Sequence, residues 1–259
     1  MNNLNLKEIA ENLIETFQKA GEEAVNIYKK GLKVTIKKDG SPVTNGDLKV
    51  NEILTEKISK ITPNIPIISE ETVDLTQKNK LKTFWLIDPI DGTKEYIAGR
   101  DEFTLNAGLI VNTAPTIGII GVPKKNRIFY SYGKDNSLLI ENNNIMRLNC
   151  QKKTPKGKIL ALTSDHKPPK IILDKLDEFK ATSFRKLSSS YKYCVIATGE
   201  YDLYVDEIRA NEWDDAAGHA IAEHAGAIVT SLENEKFIYG KEDYKNPTIL
   251  IKRAENLND

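Results

Sequence analysis

A succession of apolar, strand-like segments between residues 84 and 132 constrains the fold of this chain more than any other feature. Residues 84–87 lead into Asp88 and are followed by three further segments, at 105–111, 116–122 and 128–132. Their length and apolar character predict successive strands of one sheet, which we expect to be antiparallel. Residues 138–140 and 145–148 extend the same pattern.

Helical segments flank this predicted sheet. Apolar residues at helical spacing predict an amphipathic helix over residues 4–30 that closes near Gly31. Asp47 could cap a second helix after a short strand at 33–37 and a turn at 39–42. Further helices are expected at 173–179, 191–198 and 216–224, and further strands at 65–69, 159–162, 203–205, 227–229 and 248–251. This mixture predicts a fold of layered α and β elements.

One polar segment suggests a boundary within the chain. Residues 151–158 are lysine-rich and contain Pro155, as linkers between compact units are. We therefore expect an N-terminal α+β half, residues 1–150, and a C-terminal α/β half, residues 151–259.

Composition excludes several classes of protein. Lysine plus arginine and aspartate plus glutamate both number 37, which argues against a binder of nucleic-acid polymers. Two cysteines, Cys150 and Cys194, form no disulfide framework, and we expect both in the core. The N-terminus lacks the pattern of a signal peptide, and no stretch matches a membrane span. We therefore expect a soluble, cytoplasmic protein. Peripheral contact with the inner membrane and the oligomeric state are left open.

The segment WLIDPIDGT, residues 85–93, carries the strongest chemical signal. An apolar strand delivers Asp88 to its end, Pro89 fixes one backbone angle, and Asp91 follows three residues after Asp88. Carboxylates on a rigid turn suit hard cations such as magnesium. The backbone N–H groups at Gly92 and Thr93 could hold a phosphate.

Three other acidic segments each have an ordinary structural interpretation beside the functional one. Glu70 and Glu71 end an apolar strand and could lie in an exposed loop. Asp214 could simply cap a helix, and Asp47 could do the same. All of them lie at the ends of predicted elements, where sites form in α/β layers. Because so many carboxylates would repel an anionic substrate, a phosphatase built on them would depend strictly on metal.

Taken together, WLIDPIDGT, the preceding SEE at 69–71 and the later EWDDAAGHA at 212–220 resemble the inositol monophosphatase superfamily of lithium-sensitive, magnesium-dependent phosphatases. The resemblance extends from about Gly21 to Ile251 and is specific as a combination. It implies an αβαβα sandwich, the sugar phosphatase fold shared with fructose-1,6-bisphosphatase, with the site between the two halves. It also implies two or three bound magnesium ions.

Within the superfamily, the chain looks most similar to the bacterial bisphosphate nucleotidases. The similarity rests on DGTKEYIAGRDEFTLNAGLI (91–110), SPVTNGD (41–47), SSSYKYCVIATGEYDLY (188–204) and NPTILI (246–251). Such enzymes hydrolyse 3'-phosphoadenosine 5'-phosphate to AMP and phosphate, and so clear a by-product of sulfate assimilation. The resemblance thus implies a small phosphorylated nucleotide as substrate.

The resemblance also implies roles for individual residues. Asp47 and Thr93 would orient and deprotonate the attacking water, and the backbone from Asp91 to Thr93 would hold the scissile phosphate. Ser190 and Lys192 would contact the rest of the substrate. The implied metal ligands are the side chains of Glu70, Asp88, Asp91 and Asp214 and the carbonyl of Ile90. All of these except Asp88 would also contact the substrate. Glu70 would have a catalytic role as well.

Some positions depart from the pattern of that branch. Ser188 stands in place of a glycine, and Asp215 adds a charge beside Asp214. His219 is also unusual, and we expect it to be structural or exposed. Gly46 replaces an alanine, with little expected consequence.

Two other functions remain open on the sequence alone. A phosphatase for inositol monophosphate or a sugar phosphate would share the fold and the metal site and differ in the substrate pocket. A magnesium- or nucleotide-binding regulator without catalysis is the other alternative, although every carboxylate of the pattern is present.

Overall fold

The structure, a computed structural model, describes residues 5–37, 39–76, 80–151, 158–207, 210–254 and 257. The chain begins with helix α1 (Leu6–Lys30), a hairpin of strands β1 (Val34–Ile36) and β2 (Pro42–Thr44), and helix α2 (Asn45–Ile61). The Asn5 side chain caps α1 by accepting a hydrogen bond from the N–H of Glu8 at 3.2 Å. The predicted first helix is confirmed over the residues described.

A seven-stranded sheet follows, and its strands lie side by side in chain order. They are β3 (Ile67–Ser69), β4 (Thr83–Asp91), β5 (Thr104–Val111), β6 (Ala114–Val122), β7 (Arg127–Ser131), β8 (Ser137–Glu141) and β9 (Asn144–Arg147). A short helix, α3 (Thr93–Ile97), separates β4 from β5. Strands β3 and β4 are parallel, whereas every later pair is antiparallel, which confirms the predicted antiparallel succession.

After Arg147, the residues that the structure describes form a mixed five-stranded sheet and three helices. In chain order these are β10 (Leu160–Thr163), α4 (Lys170–Glu178), β11 (Ser183–Lys186), α5 (Tyr191–Ala197), β12 (Leu203–Asp206), α6 (Glu212–His224), β13 (Ile228–Thr230) and β14 (Ile249–Lys252). The strands lie in the order β11-β10-β12-β14-β13, and the first three are parallel.

Three apolar clusters stack these elements into layers. One packs α1 and α2 against one face of the seven-stranded sheet. A second packs α5 and α6 between the other face of that sheet and the five-stranded sheet. A third packs α4 on the outer face of the five-stranded sheet. The result is the expected αβαβα sandwich, and α5 and α6 form its central helical layer.

The boundaries differ from expectation at three helix starts. Helix α4 begins at Lys170, three residues earlier than predicted. Helix α2 is capped by Thr44, and Asp47 lies in its first turn as the partner in a capping box. Helix α6 begins at Glu212, four residues earlier than predicted, with Asn211 as its cap. The division into halves stays a prediction, since residues 152–157 lie outside the described part of the chain.

Two further expectations concern the interior and the membrane. Cys150 and Cys194 are both buried and free, as predicted. Among the described residues, no helix combines the length and the apolar character needed to cross a bilayer.

Candidate active site

Two parallel strands, β3 and β4, deliver acidic residues to the same edge of the large sheet. Ser69 pairs with Ile87, and the N–H of Glu70 donates to the carbonyl of Ile87 at 3.0 Å, so Glu70 follows β3 beside Asp88 of β4. Past Asp88 the register with β5 shifts, because three residues of β4 oppose two of β5. Pro89, which has no N–H to donate, lies within this bulge.

Helix α6 contributes Asp214 to the same place. Asp214 lies in the first turn of α6, and its Oδ2 accepts a hydrogen bond from the N–H of Asn211 at 2.8 Å. The residue that caps α6 is Asn211, three residues before Asp214, so the interpretation of Asp214 as the helix cap is wrong. Asp214 instead completes a capping box while facing the carboxylates of the N-terminal half.

Glu70, Asp88 and Asp214 form a compact acidic cluster. One carboxylate oxygen from each lies within 4.8 Å of the others. Asp88 is buried, and its Oδ1 has no hydrogen-bond partner in the structure. Burial, together with the charges of Glu70, Asp91 and Asp214, raises the pKa of Asp88 well above its ordinary value. Burial and the charge of Asp91 likewise raise the pKa of Asp214.

This cluster fits a hard divalent cation. A buried carboxylate oxygen without a partner is costly, and oxygen-only ligand sets are those that magnesium prefers. A cation between these side chains would provide the missing partner of Asp88 and offset the repulsion among the three carboxylates.

Asp91 is fixed in orientation by Ser190, which directly precedes helix α5. The backbone N–H of Ser190 donates to Asp91 Oδ2 at 2.5 Å, and the Ser190 hydroxyl lies 2.6 Å from the same oxygen. Asn106 Nδ2 approaches that oxygen at 3.4 Å and also donates to the Ser190 hydroxyl at 3.0 Å.

Thr93 and Asp47 lie together, as the resemblance implies. The Thr93 hydroxyl is 3.3 Å from Asp47 Oδ1 and 3.1 Å from the carbonyl of Ile90. Asp47 Oδ2 accepts hydrogen bonds from the N–H and the hydroxyl of Thr44, at 2.8 and 2.5 Å. Burial raises the pKa of Asp47 despite these hydrogen bonds, so its carboxylate is a stronger base than usual.

Gly92 forms the turn between β4 and α3. Its φ of 85° lies in the left-handed region, which glycine adopts without strain. A side chain at Gly92 would lie 3.5 Å from Cβ of Ser189 and 3.6 Å from Oε2 of Glu95, so the turn fits closely against the other half.

Gly46 is more constrained than the sequence suggested. A Cβ atom at Gly46 would lie 2.6 Å from the hydroxyl oxygen of Tyr96, a fully buried side chain. An alanine at this position would therefore require Tyr96 to move.

Lys37 is part of the site that sequence reasoning missed. Its Nζ lies 3.0 Å from Glu70 Oε1 and 2.9 Å from Glu71 Oε1. Burial would lower the pKa of Lys37, but these two carboxylates outweigh it and raise the pKa above its ordinary value. No local pattern marked Lys37, because the hairpin that carries it meets Glu70 only in the folded chain.

The two residues expected to contact the rest of the substrate lie inside the protein. Ser190 is fully buried and bonded to Asp91. Lys192 is buried with its Nζ 5.6 Å from the ring centre of Tyr193 and 5.3 Å from that of Tyr204. These contacts favour support of the site over direct contact with substrate, and a substrate-binding role for either residue stays a prediction.

Asp215 and His219, the unusual residues of α6, both have structural partners. Asp215 accepts hydrogen bonds from Tyr193 at 2.9 Å and Asn246 at 2.8 Å. His219 is buried with its Nδ1 3.0 Å from the hydroxyl of Tyr239, as a structural histidine would be.

The sequence was also compared with models of known protein families. Residues 5–258 match the inositol monophosphatase family. The chain belongs to that family.

Within the family, the chain is similar to proteins named CysQ. It is 32% identical to the 3'(2'),5'-bisphosphate nucleotidase CysQ of Escherichia coli over 234 residues, which cover 88% of this chain and 93% of the relative. A CysQ of Buchnera aphidicola is 32% identical over 86% of this chain and 84% of its own.

Solved structures of the family share the fold. The crystal structure of CysQ from Bacteroides thetaiotaomicron superposes with a TM-score of 0.77 at 30% identity, covering 96% of this chain and 98% of that one. An inositol monophosphatase from Thermotoga maritima superposes with a TM-score of 0.75 at 22% identity, covering 94% of this chain and 91% of that one, which bears on the fold alone. The chain is therefore a phosphatase of the inositol monophosphatase family, similar to CysQ.

Proposed function

We propose that the protein is a magnesium-dependent 3'(2'),5'-bisphosphate nucleotidase that hydrolyses 3'-phosphoadenosine 5'-phosphate to AMP and phosphate. Two observations carry the metal-dependent part of this proposal: Asp88 Oδ1 is buried without a hydrogen-bond partner, and one carboxylate oxygen from each of Glu70, Asp88 and Asp214 lies within 4.8 Å of the others. The similarity to CysQ across almost the whole chain supports the choice of substrate.

Five groups would hold magnesium in this proposal: the carboxylates of Glu70, Asp88, Asp91 and Asp214 and the carbonyl of Ile90. Magnesium there would lower the pKa of a water molecule and stabilise the charge that develops on the phosphate and the leaving oxygen. Two or three ions are the proposed complement.

The chain's own residues would orient and deprotonate the water. Thr93 lies between Asp47 and the Ile90 carbonyl, so its hydroxyl can accept a hydrogen bond from water while donating to Asp47. The raised pKa of Asp47 suits a carboxylate that takes up a proton during turnover. The backbone from Asp91 to Thr93 would hold the scissile phosphate.

The test is phosphate release, with magnesium, from 3'-phosphoadenosine 5'-phosphate, inositol 1-phosphate and fructose 1,6-bisphosphate in parallel. We expect preference for the nucleotide, and loss of activity on adding a chelator or with Asp91→Asn. Asp39→Asn, which changes an exposed aspartate in the β1–β2 turn, is the matched control. Equal or faster release from inositol phosphate or the sugar phosphate would contradict the substrate assignment. Full activity in chelator would contradict the metal site.

A further inference from the structure

A cavity of about 500 Å³ opens beside the turn at Gly92 and lies between the two halves of the chain. The N-terminal half lines it with Glu95, Arg100 and Glu102, and the C-terminal half with Arg185, Lys186 and Ser188, among others. Its volume lies within the range of small-molecule sites, roughly 300–1,000 Å³.

The cavity adjoins the proposed place of the scissile phosphate. Glu95 Oε2, on its wall, lies 3.6 Å from the point where a Cβ of Gly92 would stand. Ser188, on the opposite wall, precedes Ser190, whose N–H donates to Asp91. A substrate whose phosphate rests on the backbone at Gly92 would therefore extend directly into this space.

The short helix α3 connects the turn at Gly92 to the wall of the cavity. It begins after Gly92, and past its end the N–H of Arg100 donates to the carbonyl of Glu95 at 2.9 Å, which turns Arg100 back toward the cavity. The guanidinium of Arg100 stays 3.7 Å from the Glu95 carboxylate, too far for a strong hydrogen bond. Its donors therefore remain available to a ligand.

The charges on the wall favour an anion. Arg100, Arg185 and Lys186 face two carboxylates, those of Glu95 and Glu102. Arg185 is ion-paired with Glu102 and hydrogen-bonded to Tyr201, but a guanidinium has five N–H donors and these two partners leave some of them unused. The wall thus has one more cation than anion and several unused donors.

A neighbouring cavity of about 430 Å³ shows the contrast. There Arg127 is held by both Glu141 and Glu200, at 2.5 and 3.1 Å from their carboxylate oxygens. The donors of Arg127 are committed to these acids and to the hydroxyl of Tyr191. Arg185 and Glu102 line both cavities, but of the two only the cavity beside Gly92 adjoins the turn and is also lined by Arg100 and Lys186.

We propose that Arg100, Arg185 and Lys186 bind the second, non-scissile phosphate of the substrate and so make the enzyme selective for bisphosphates. This inference rests on the proposed function. The two phosphates of a nucleoside 3',5'-bisphosphate are carried by one ribose, so the second must bind within one sugar's reach of the first. Arginine is the residue best suited to that role, because its planar fork matches phosphate oxygens in pairs.

The kinetic test compares 3'-phosphoadenosine 5'-phosphate with adenosine 3'-phosphate, which has the same scissile ester and no second phosphate. We expect Arg100→Gln combined with Lys186→Gln to lower the ratio of the two kcat/KM values about tenfold. Arg185→Gln should lower it similarly. Lys125→Gln, which removes a cation from the neighbouring cavity, should leave the ratio at its wild-type value.

A binding test separates this inference from the proposed function. Titration calorimetry with adenosine 5'-phosphate and with adenosine needs no hydrolysis, and we expect the wild type to bind the phosphorylated form about tenfold more tightly. The Arg100→Gln and Lys186→Gln protein should bind the two almost equally.

The outcomes are distinct. Preferential binding that the substitutions abolish supports the subsite even if no substrate is hydrolysed, in which case the proposed function alone fails. If the wild type prefers the bisphosphate and the variants keep that preference, the subsite is wrong and the function stands. If the wild type shows no preference for a second phosphate in either test, the subsite is wrong.

Discussion

Ser190 approaches Asp91 Oδ2 with two groups at once, its backbone N–H at 2.5 Å and its hydroxyl at 2.6 Å. The same hydroxyl lies 2.5 Å from the carbonyl of Asp214. A hydroxyl has one proton, so it can donate to only one of these oxygens at a time. Ser190 therefore links the aspartate at the end of β4 to the first turn of α6, and the orientation of each depends on the other.

Replacing Ser190 by alanine removes the hydroxyl and keeps the N–H contact. Because groups that orient metal ligands typically contribute about 10–100-fold to metal affinity or activity, we expect Ser190→Ala to raise the magnesium concentration for half-maximal activity at least tenfold. Magnesium titration of phosphate release measures this. Ser183→Ala, at an exposed position of β11, is the control. A variant that matches the wild type would mean that the Ser190 N–H and the Asn106 amide fix Asp91 without the hydroxyl.

The Thr93 hydroxyl can be tested by changing its polarity at nearly constant shape. We expect Thr93→Val to lower kcat about a hundredfold or more, the usual contribution of a positioned proton-transfer group. Thr93→Ser keeps the hydroxyl and should retain most of the activity. Steady-state kinetics of both variants provide the comparison, and equal loss in both would show that the methyl group, and not the hydroxyl, matters.

The Lys37 ammonium group is ion-paired with both Glu70 and Glu71. Removing its charge should destabilise the metal-free protein, because two partly buried carboxylates lose their partner. We expect Lys37→Gln to enlarge the magnesium-induced rise in Tm by about 2–4 °C, which corresponds to about 1 kcal/mol for a chain of this size. Differential scanning calorimetry with chelator and with magnesium measures it. Lys49→Gln, which breaks an exposed pair with Glu52, is the control, and an unchanged or smaller rise for Lys37→Gln would refute the prediction.

Two buried histidines make stability depend on acid pH. Burial lowers the pKa of His219 to about 3 and that of His224 to about 4, whereas the unfolded chain titrates near 6.5. Their contribution to the free energy of unfolding is therefore complete above pH 6.5 and is lost as the pH falls toward these values. Each can contribute a slope of up to about 1.4 kcal/mol per pH unit.

The measurement is urea unfolding between pH 4 and 7. Buried carboxylates titrate in the same range, so the compared quantity is the difference in slope between His219→Gln and the wild type. We expect a shallower loss in the variant as the pH falls. His166→Gln, at an exposed position, should keep the wild-type slope. Parallel curves for His219→Gln and the wild type would show that His219 is protonated in the folded state.

Gly46→Ala tests the close contact between α2 and α3. The new methyl group would meet the Tyr96 ring, whose hydroxyl donates to the Ala24 carbonyl at 2.6 Å and cannot move without losing that bond. Overpacking of this kind costs about 1–3 kcal/mol, and we expect that loss in urea unfolding. A second substitution, Tyr96→Phe, should recover part of it by removing the atom nearest to the new methyl. No loss in Gly46→Ala would mean that α3 shifts freely.

The sequence predicted those features that depend on local pattern. The apolar strands, the first helix and the position of acids at element ends follow from periodicity. Strand β11 was missed, because Ser183–Lys186 is largely exposed at a sheet edge and lacks an apolar pattern. Helix α3 was missed because five residues give too little periodicity.

Contacts between distant segments were beyond such reasoning. Lys37 meets Glu70, and Ser190 meets Asp91, only because separate layers pack together. The caps of α2 and α6 are Thr44 and Asn211, whereas the sequence suggested Asp47 and Asp214. In a capping box the acidic residue lies three positions after the cap. The acidic residue is the more conspicuous of the two in a sequence, which explains the misplacement.

The position of α6 between two sheets gives the two sides of the site different freedom to open. Amides of a helix covered on both faces exchange with solvent mainly through global unfolding, whereas those of an exposed hairpin exchange through local opening. Asp214 lies on the covered helix, and Lys37 follows strand β1, whose three residues are all exposed. Hydrogen exchange should therefore be slower in the body of α6 than around Lys37, so that the hairpin side of the site can open while the α6 side keeps its shape.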